Sequence, residues 1–212
     1  MRRRLILATV ALVAGLCSAD AGQEARFDTA LELAHSGQWA VAVAMFRQLA
    51  RAGDAAAQVN LAVMQARGQG LPQDEAAAAY WAWRARLAGE TRAAGLSDHL
   101  MTRLTQDARA ALAERLLQDL TAQVGRGEMQ ALVGVGRVEI EIRSPARLQE
   151  AALWFTLAAA FEVQHAMVLR EVAMQDLEPA QRLSVQARAR AEFTRWCRVL
   201  AADDRPRSCV AE

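Results

Sequence analysis

The sequence predicts an all-α protein, a right-handed α-solenoid of antiparallel helix pairs in which a block of about 74 residues occurs twice. Three observations predict it. Apolar residues recur at spacings of three and four through nearly the whole chain after residue 21, which is the pattern of amphipathic helices. Short breaks separate these segments, so neighbouring helices are expected to pack antiparallel. Alanine dominates the composition, with only 4 Pro and 1 Tyr, and β-branched runs are nearly absent.

The two halves of the chain match when the sequence is shifted by 74 residues. Glycines, small residues and aromatic residues fall on one another in the same order, and a deletion of one residue aligns the remainder. The matched positions are Gly53-Asp54 with Gly127-Glu128, Leu61 with Val135, Tyr80-Trp81 with Trp154-Phe155, Ala85 with Ala159 and, after the deletion, Leu104 with Leu177. Such a periodic array of helix pairs is typical of solenoids, in which each unit buries its face against the next.

The first copy carries a specific order of residues over positions 53–89. Small residues fill positions 55–57, Gly68, Gly70 and Asp74 follow in the connecting segment, and Trp81 lies in the second helix. This order resembles the Sel-one-like repeat, a relative of the tetratricopeptide repeats. Residues 127–162 resemble the same repeat without its glycine-rich loop, and residues 27–52 look like half a repeat that caps the N-terminal end. By analogy of fold, the resemblance implies a protein that binds proteins or peptides.

These patterns divide the chain into five segments. They are a secretory signal peptide (1–21), N-terminal capping helices (22–52), a first repeat block (53–126), a second, degenerate repeat block (127–201) and a C-terminal tail (202–212).

The first 21 residues have the pattern of an export signal. Three arginines at positions 2–4 precede an apolar run of about a dozen residues, and an A-x-A cleavage site lies at 19–21. The run is too short for a membrane span of about 20 residues. The sequence therefore predicts a periplasmic or secreted protein without a membrane span in the mature chain. Secretory and twin-arginine signals both stay open, while Leu16 before Cys17 disfavours a lipoprotein.

The helical period also predicts which side chains of the helix pairs form the core. Leu61 and Met64 share one stripe of the first helix of the first copy, and Trp81 lies on the facing stripe of the second helix. The matched aromatic residues Trp154 and Phe155 are the expected core of the second copy.

The sequence also predicts where some of the helices begin and end. Gly68 can end the first helix in the left-handed conformation, and Asp74 can cap the next one. In the second copy, Ser144-Pro145 is expected to begin a helix, with serine as the cap and proline in the first turn.

Cys197 and Cys209 are the two cysteines that remain after cleavage of the signal. An even pair in an exported chain predicts a disulfide. A redox pair usually has C-x-x-C spacing, and a metal site needs more ligands, so both alternatives are less favoured.

Candidate catalytic residues are scattered. His35, His99 and His165 lie in different parts of the chain, none within a metal-binding motif. We therefore expect neither enzyme activity nor a cofactor or metal. A cell-wall-associated hydrolase is the least favoured alternative, and a structural subunit of an envelope complex is another.

The expected partner is a protein or peptide. Removal of the first 21 residues changes the formal net charge from +1 to about −1, which gives no electrostatic reason to expect a nucleic acid. The stripe beside the core stripe mixes amides and charges that suit a peptide. Its predicted partner-binding residues are Asn60, Arg67, Gln130, Arg137 and Glu141. A basic strip of Arg188, Arg195 and Arg198 on the last helix is the alternative docking surface.

Overall fold

The computed structural model describes residues 22–199 and 207–210, and within them it contains α-helices, one 3₁₀ turn (Arg207–Val210) and no strand. This confirms the all-α class for the described part of the chain; the right-handed course of the array stays a prediction. The helices are α1 (22–35), α2 (Trp39–Arg51), α3 (Ala55–Arg67), α4 (Glu75–Leu87), α5 (Ala93–Arg103), α6 (Gln106–Gly125), α7 (Ala131–Glu141), α8 (Leu148–Ala160), α9 (Ala166–Gln175) and α10 (Pro179–Val199).

The chain forms two compact units, with the division between Arg103 and Leu104. In the first unit, α2 packs on α3, α3 on α4 and α4 on α5. In the second unit, α6 packs on α7, α7 on α8, and α8 on both α9 and α10. The compact units therefore differ from the repeat blocks 53–126 and 127–201, whose limits describe the period of the sequence and stay predictions.

The ends of α3 and α4 follow from local chemistry. Gly68 ends α3 with a φ of 67°, which a residue without a Cβ adopts at no steric cost. Asp54 Oδ1 accepts a hydrogen bond from Ala57 N at 2.8 Å, and Asp74 Oδ1 accepts one from Ala77 N at 2.9 Å. The predictions for Gly68 and Asp74 are confirmed, and each cap satisfies a backbone N–H that the helix leaves open.

The prediction for Ser144-Pro145 is wrong. The second helix of the later pair, α8, begins only at Leu148, and the residue before it, Arg147, makes no side-chain cap. The backbone N–H of Arg147 donates to the carbonyl of Glu139 at 2.9 Å. This bond across the loop sets where α8 begins, so the local preference of serine and proline does not decide it.

The gap-free alignment of the aromatic doublets is also wrong. The loop between α3 and α4 covers 68–74, whereas the loop between α7 and α8 covers only 142–147. The missing residue therefore lies in this loop rather than after α8, and α4 and α8 match at an offset of 73. Trp81 corresponds to Trp154, and Phe155 corresponds to Ala82.

Most of the predicted core residues are buried. Leu61, Met64, Trp81 and Phe155 are at most 9% exposed, whereas Trp154 is half-buried. The difference has a physical cause, because Trp154 reaches toward α10 at the edge of the helix pair, where its ring lies 6.2 Å from that of Trp196.

The second unit is closed at its C-terminal end by a disulfide between Cys197 and Cys209, whose Cα atoms lie 5.3 Å apart. The pairing predicted from the sequence is therefore present, and it ties the 3₁₀ turn to α10. The proposed signal peptide lies outside the described residues. No helix within 22–199 or 207–210 is long and apolar enough to cross a membrane.

Candidate functional site

A polar pocket of about 860 Å³ lies in the first unit, beneath the loop that joins α3 to α4. We call it the first pocket. Residues from α2, α3, α5 and the loop with the start of α4 surround it: Arg47, Gln65, Leu71, Pro72, Gln73, Asp74, Glu75 and Arg103. A volume of this size is within the range of about 300–1,000 Å³ that ligand sites occupy.

A glycine holds the loop against α2. Gly70 has a φ of 77°, and a Cβ at this position would lie 2.5 Å from the carbonyl carbon of Trp39. Any larger residue would therefore push the loop away from α2. The close approach of the two backbones makes Gly70 necessary to the shape of this wall of the unit.

Hydrogen bonds from the end of the loop connect it back to α3. The backbone N–H of Asp74 donates to the carbonyl of Gln65 at 3.0 Å, and Gln73 Nε2 donates to the carbonyl of Ala66 at 2.9 Å. Asp74 also caps α4, so one residue sets both the loop and the start of the next helix. The loop side of the pocket is consequently held by backbone and side-chain hydrogen bonds to α3 and by the cap of α4.

The amide of Gln65 is the unusual group in the first pocket. Gln65 is 7% exposed, and its Oε1 is buried without a hydrogen-bond partner among the described residues. An unsatisfied buried acceptor costs about 1–3 kcal/mol. Buried polar side chains nearly always have a partner, so this oxygen lacks a contact that a buried acceptor usually makes.

The two arginines of the first pocket differ in whether a carboxylate pairs with them. Arg103 forms an ion pair with Glu75 across the ends of α5 and α4. Arg47, on α2, is half-buried, and no carboxylate within residues 22–199 pairs with it. Arg47 is therefore the cation that remains available to a ligand.

A corresponding pocket of about 520 Å³ lies in the second unit, beneath the loop between α7 and α8. We call it the second pocket; its lining is Ala146, Arg147, Leu148, Gln149, Glu150, Asp176, Leu177 and Gln181. At the offset of 73, Asp74 is replaced by Arg147 and Arg103 by Asp176. The two pockets thus occupy equivalent places in their helix pairs, and the charge is reversed at these two positions.

Buried Glu139 occupies the position that Gln65 has in the first copy, and it is 5% exposed. Burial raises the pKa of Glu139, while the charges of Arg143 and Arg147 lower it and those of Glu150 and Glu114 raise it. Because burial is the largest of these influences, the net direction is upward.

The ion pair of Glu139 is imperfect. Its Oε2 lies 3.0 Å from Arg143 Nε, close enough for an ion pair, but neither atom has a hydrogen-bond partner among the described residues. Arg143 Nη2 instead donates to Glu114 Oε1 at 2.7 Å. The short distance makes the contact an ion pair, but the two groups are not aligned for a hydrogen bond. Burial therefore remains the largest influence on the pKa of Glu139.

The structure places the five predicted partner-binding residues in two units. In the first, Asn60 is half-buried and donates to the carbonyl of Ala56 at 3.0 Å, while Arg67 is exposed. In the second, Gln130 is exposed, and Arg137 Nε lies 2.6 Å from Glu141 Oε1. The structure thus brings Arg137 and Glu141 together as a pair; the alignment of the two groups stays a prediction.

The alternative basic strip on α10 is partly neutralised. Arg188 forms two hydrogen bonds with Glu150, at 2.9 and 2.8 Å, and Arg195 pairs with Glu192.

The three histidines are exposed, and the described residues contain no group of three His, Cys, Asp or Glu that could hold a metal.

Neither Arg47 nor Gln65 was predicted from the sequence. Gln65 follows Leu61 by four residues and therefore continues the core stripe of α3. A polar residue on a core stripe is the pattern that could have indicated it. Arg47 had no such signal, because only the packing of α2 against α3 brings it to the pocket.

Fold and site define the class: an all-α protein of antiparallel helix pairs with a polar pocket under the connecting loops. No protein-family model matches the sequence, and no curated protein matches it. A similar solved structure is a protective antigen present in uropathogenic Escherichia coli strains and described as displaying an SLR fold. It is 19% identical, with a TM-score of 0.41, over 92% of this chain and 34% of that chain. The chain therefore spans about a third of that protein's length.

Proposed function

We propose that this chain is a divergent Sel-one-like helical-repeat protein that binds a segment of another protein in the cell envelope and catalyses no reaction itself. The observation that carries the proposal is the first pocket, where the half-buried Arg47 and the buried Oε1 of Gln65 both lack a partner among the described residues. A bound segment would supply the missing interactions and offset the cost of burying these groups.

Export is part of the proposal. The Cys197–Cys209 disulfide supports it, because disulfides persist mainly in oxidising compartments such as the periplasm. Intact-mass analysis of the protein from its native host tests the point. A mass that lacks residues 1–21 is expected, and a mass that retains Met1 would contradict export by cleavage.

The predicted stripe of Asn60, Arg67, Gln130, Arg137 and Glu141 stays part of the proposal as a flank for the partner. Arg67→Glu should weaken capture of the partner and leave the melting midpoint nearly unchanged, because Arg67 is exposed and exposed substitutions usually cost within about 0.5 kcal/mol. Adding Arg137→Glu should weaken capture further and also lower the midpoint, because it breaks the half-buried ion pair with Glu141. Unaltered capture would remove the stripe from the proposal and direct attention to α10.

Site-specific photocrosslinking tests the proposed function directly. With p-benzoylphenylalanine in place of the exposed, pocket-lining Gln73, irradiation of cells should produce a discrete crosslinked species. The matched control carries the same group in place of Gln118, exposed on α6. A species that forms from position 73 alone supports the proposal, whereas identical products from both positions, or none, would contradict it.

An exposed apolar face on α9 favours the second candidate, a structural subunit of an envelope complex. Met167, Val168 and Val172 are 58–65% exposed, and contiguous exposed apolar patches often mark contact surfaces. A subunit of this kind should self-associate or aggregate when purified alone. Sedimentation velocity distinguishes the two candidates, because the adaptor is expected to remain a discrete monomer.

A further inference from the structure

We propose that the first pocket recognises a carboxylate and a neighbouring N–H group on a peptide, with the carboxylate on Arg47 and the N–H donated to Oε1 of Gln65. This rests on the proposed function and names the chemistry of its ligand. The carboxylate can be the C-terminus of the peptide or an acidic side chain.

Arg47 supplies the charge recognition. Its guanidinium lines the pocket without a carboxylate partner within residues 22–199, whereas the other guanidinium of the pocket, that of Arg103, is held by Glu75. Guanidinium groups pair with carboxylates through two parallel hydrogen bonds, which adds direction to the electrostatic attraction. A half-buried position strengthens the pair, because the surroundings are less polar than water.

Gln65 supplies the second contact. Its unpartnered atom is an acceptor, Oε1, so the group that completes it has to be a donor. A peptide places a backbone N–H next to its terminal carboxylate, and also beside each acidic side chain. One short peptide segment can therefore satisfy Arg47 and Gln65 together.

The rest of the lining limits the ligand to a single negative charge on a partly apolar chain. Asp74 and Glu75 line the pocket together with two arginines, so its formal charge is zero, and the carboxylates would repel a polyphosphate or nucleic acid more strongly than a single carboxylate. Leu71 and Pro72 add apolar surface at the loop, which suits an aliphatic side chain of a peptide.

The second pocket is the natural comparison. Glu139 replaces Gln65, and the position of Arg47 on α2 corresponds to Thr121 on α6, whose Oγ1 donates to the carbonyl of Leu117 at 2.7 Å. The second copy has no guanidinium at the position of Arg47, and its carboxyl group at the position of Gln65 already lies beside Arg143. We therefore expect the peptide to bind the first pocket more tightly than the second.

Fluorescence anisotropy with defined peptides tests the inference on the exported full-length protein. The probes are a dye-labelled hexapeptide of alanine and leucine with a free C-terminal carboxylate, the same peptide amidated, and the amidated peptide with one internal glutamate. The free acid, the internal glutamate or both should bind, and the plain amide should bind at least about ten-fold more weakly, since hydrogen bonds to charged groups contribute about 1.5–3 kcal/mol.

Three variants separate recognition from folding. Arg47→Gln should lower affinity about ten-fold or more, and Arg51→Gln, an exposed arginine one turn further along α2, should leave it unchanged. Gln65→Met keeps the size of the side chain and removes the unsatisfied amide, so affinity should fall several-fold while the melting midpoint is kept or rises. A merely structural role for Gln65 would instead lower the midpoint and spare the affinity.

Equal, detectable binding of all three peptides, or full affinity of Arg47→Gln for the peptides that carry a carboxylate, would overturn the inference. If no probe binds but the crosslink from position 73 persists, the pocket binds a partner through other chemistry, and only the carboxylate inference is lost. If the crosslink is also absent, the proposed function is lost with it.

Discussion

The helix pairs α3–α4 and α7–α8 occupy equivalent places in the two copies, but different interactions hold them. The first pair has side-chain caps on both helices, from Asp54 and Asp74, and a loop that Gly70 fits against α2. The second pair has no side-chain cap on either helix. Its second helix, α8, packs on α9 and α10 as well as on α7.

A compensating exchange of sizes fills the second core. Phe155 stands where the first copy has Ala82, and Gly136 stands where it has Ala62. A Cβ at Gly136 would lie 2.5 Å from Cε1 of Phe155, so the glycine on α7 makes room for the ring on α8. One backbone arrangement therefore accepts different combinations of small and large side chains in its core.

The same comparison shows how a pocket changes its chemistry without a change of fold. Gln65 and Glu139 lie at equivalent buried positions, and the last residue of each loop donates its N–H to their carbonyl oxygens, at 3.0 and 2.9 Å. The backbone therefore sets the geometry in both copies. The side chain at this buried position is an amide in the first copy and a carboxyl group in the second.

The largest expected effect concerns the exchanged core. Phe155→Ala should lower the free energy of unfolding by about 3–5 kcal/mol, because it leaves a cavity in the second pair. Gly136→Ala should destabilise by about 1–3 kcal/mol through crowding against the ring. Urea denaturation measures both.

The double variant tests this compensation directly, because it gives the second pair the two alanines that the first pair has at Ala62 and Ala82. Gly136→Ala with Phe155→Ala should cost less than the two single changes together. Strict additivity would show that Gly136 and Phe155 do not compensate for one another.

The disulfide is expected to have the next largest effect. Cys197→Ser should lower the free energy of unfolding by about 3 kcal/mol in the chain-entropy account and reduce the melting midpoint. Unfolding of the unaltered protein under reducing conditions is the control and should match the variant. Two free thiols per chain in the exported, unreduced protein would contradict the pairing.

The helix caps give a smaller, matched test. Asp74→Ala removes the cap on α4 and should cost about 1 kcal/mol, with faster amide exchange in the first turn. The equivalent change in the second pair, Arg147→Ala, should cost under about 0.5 kcal/mol, because Arg147 makes no side-chain cap. Equal losses at both positions would contradict the difference between the pairs.

The smallest effect is a dependence on pH. Since burial raises the pKa of Glu139 above its usual value of 4.5, the folded protein holds this proton more tightly than the unfolded chain. Stability from Glu139 is thus fully present below pH 4.5 and falls as the pH rises through the folded pKa. Glu139→Gln should flatten this decline in urea titrations from pH 4 to 8. The exposed Glu128→Gln should keep it, and identical slopes in all three proteins would contradict the assignment.

Local chemistry let the sequence determine the helices, the ends of α3 and α4, and the pairing of Cys197 with Cys209. A left-handed glycine and an aspartate cap act within a few residues of themselves, so their consequences can be read without the fold. The buried positions of Leu61 and Met64 follow in the same way from the helical period.

Only the tertiary structure decided the register of α8 and the site. The match of Trp81 with Trp154 depends on a bond across a loop, from Arg147 to Glu139, and a sequence alignment without a gap hides it. The pocket depends on the packing of α2 against α3, which brings Arg47 toward Gln65. Contacts between residues distant in sequence are set by how whole helices fit together, and neither composition nor period encodes that fit residue by residue.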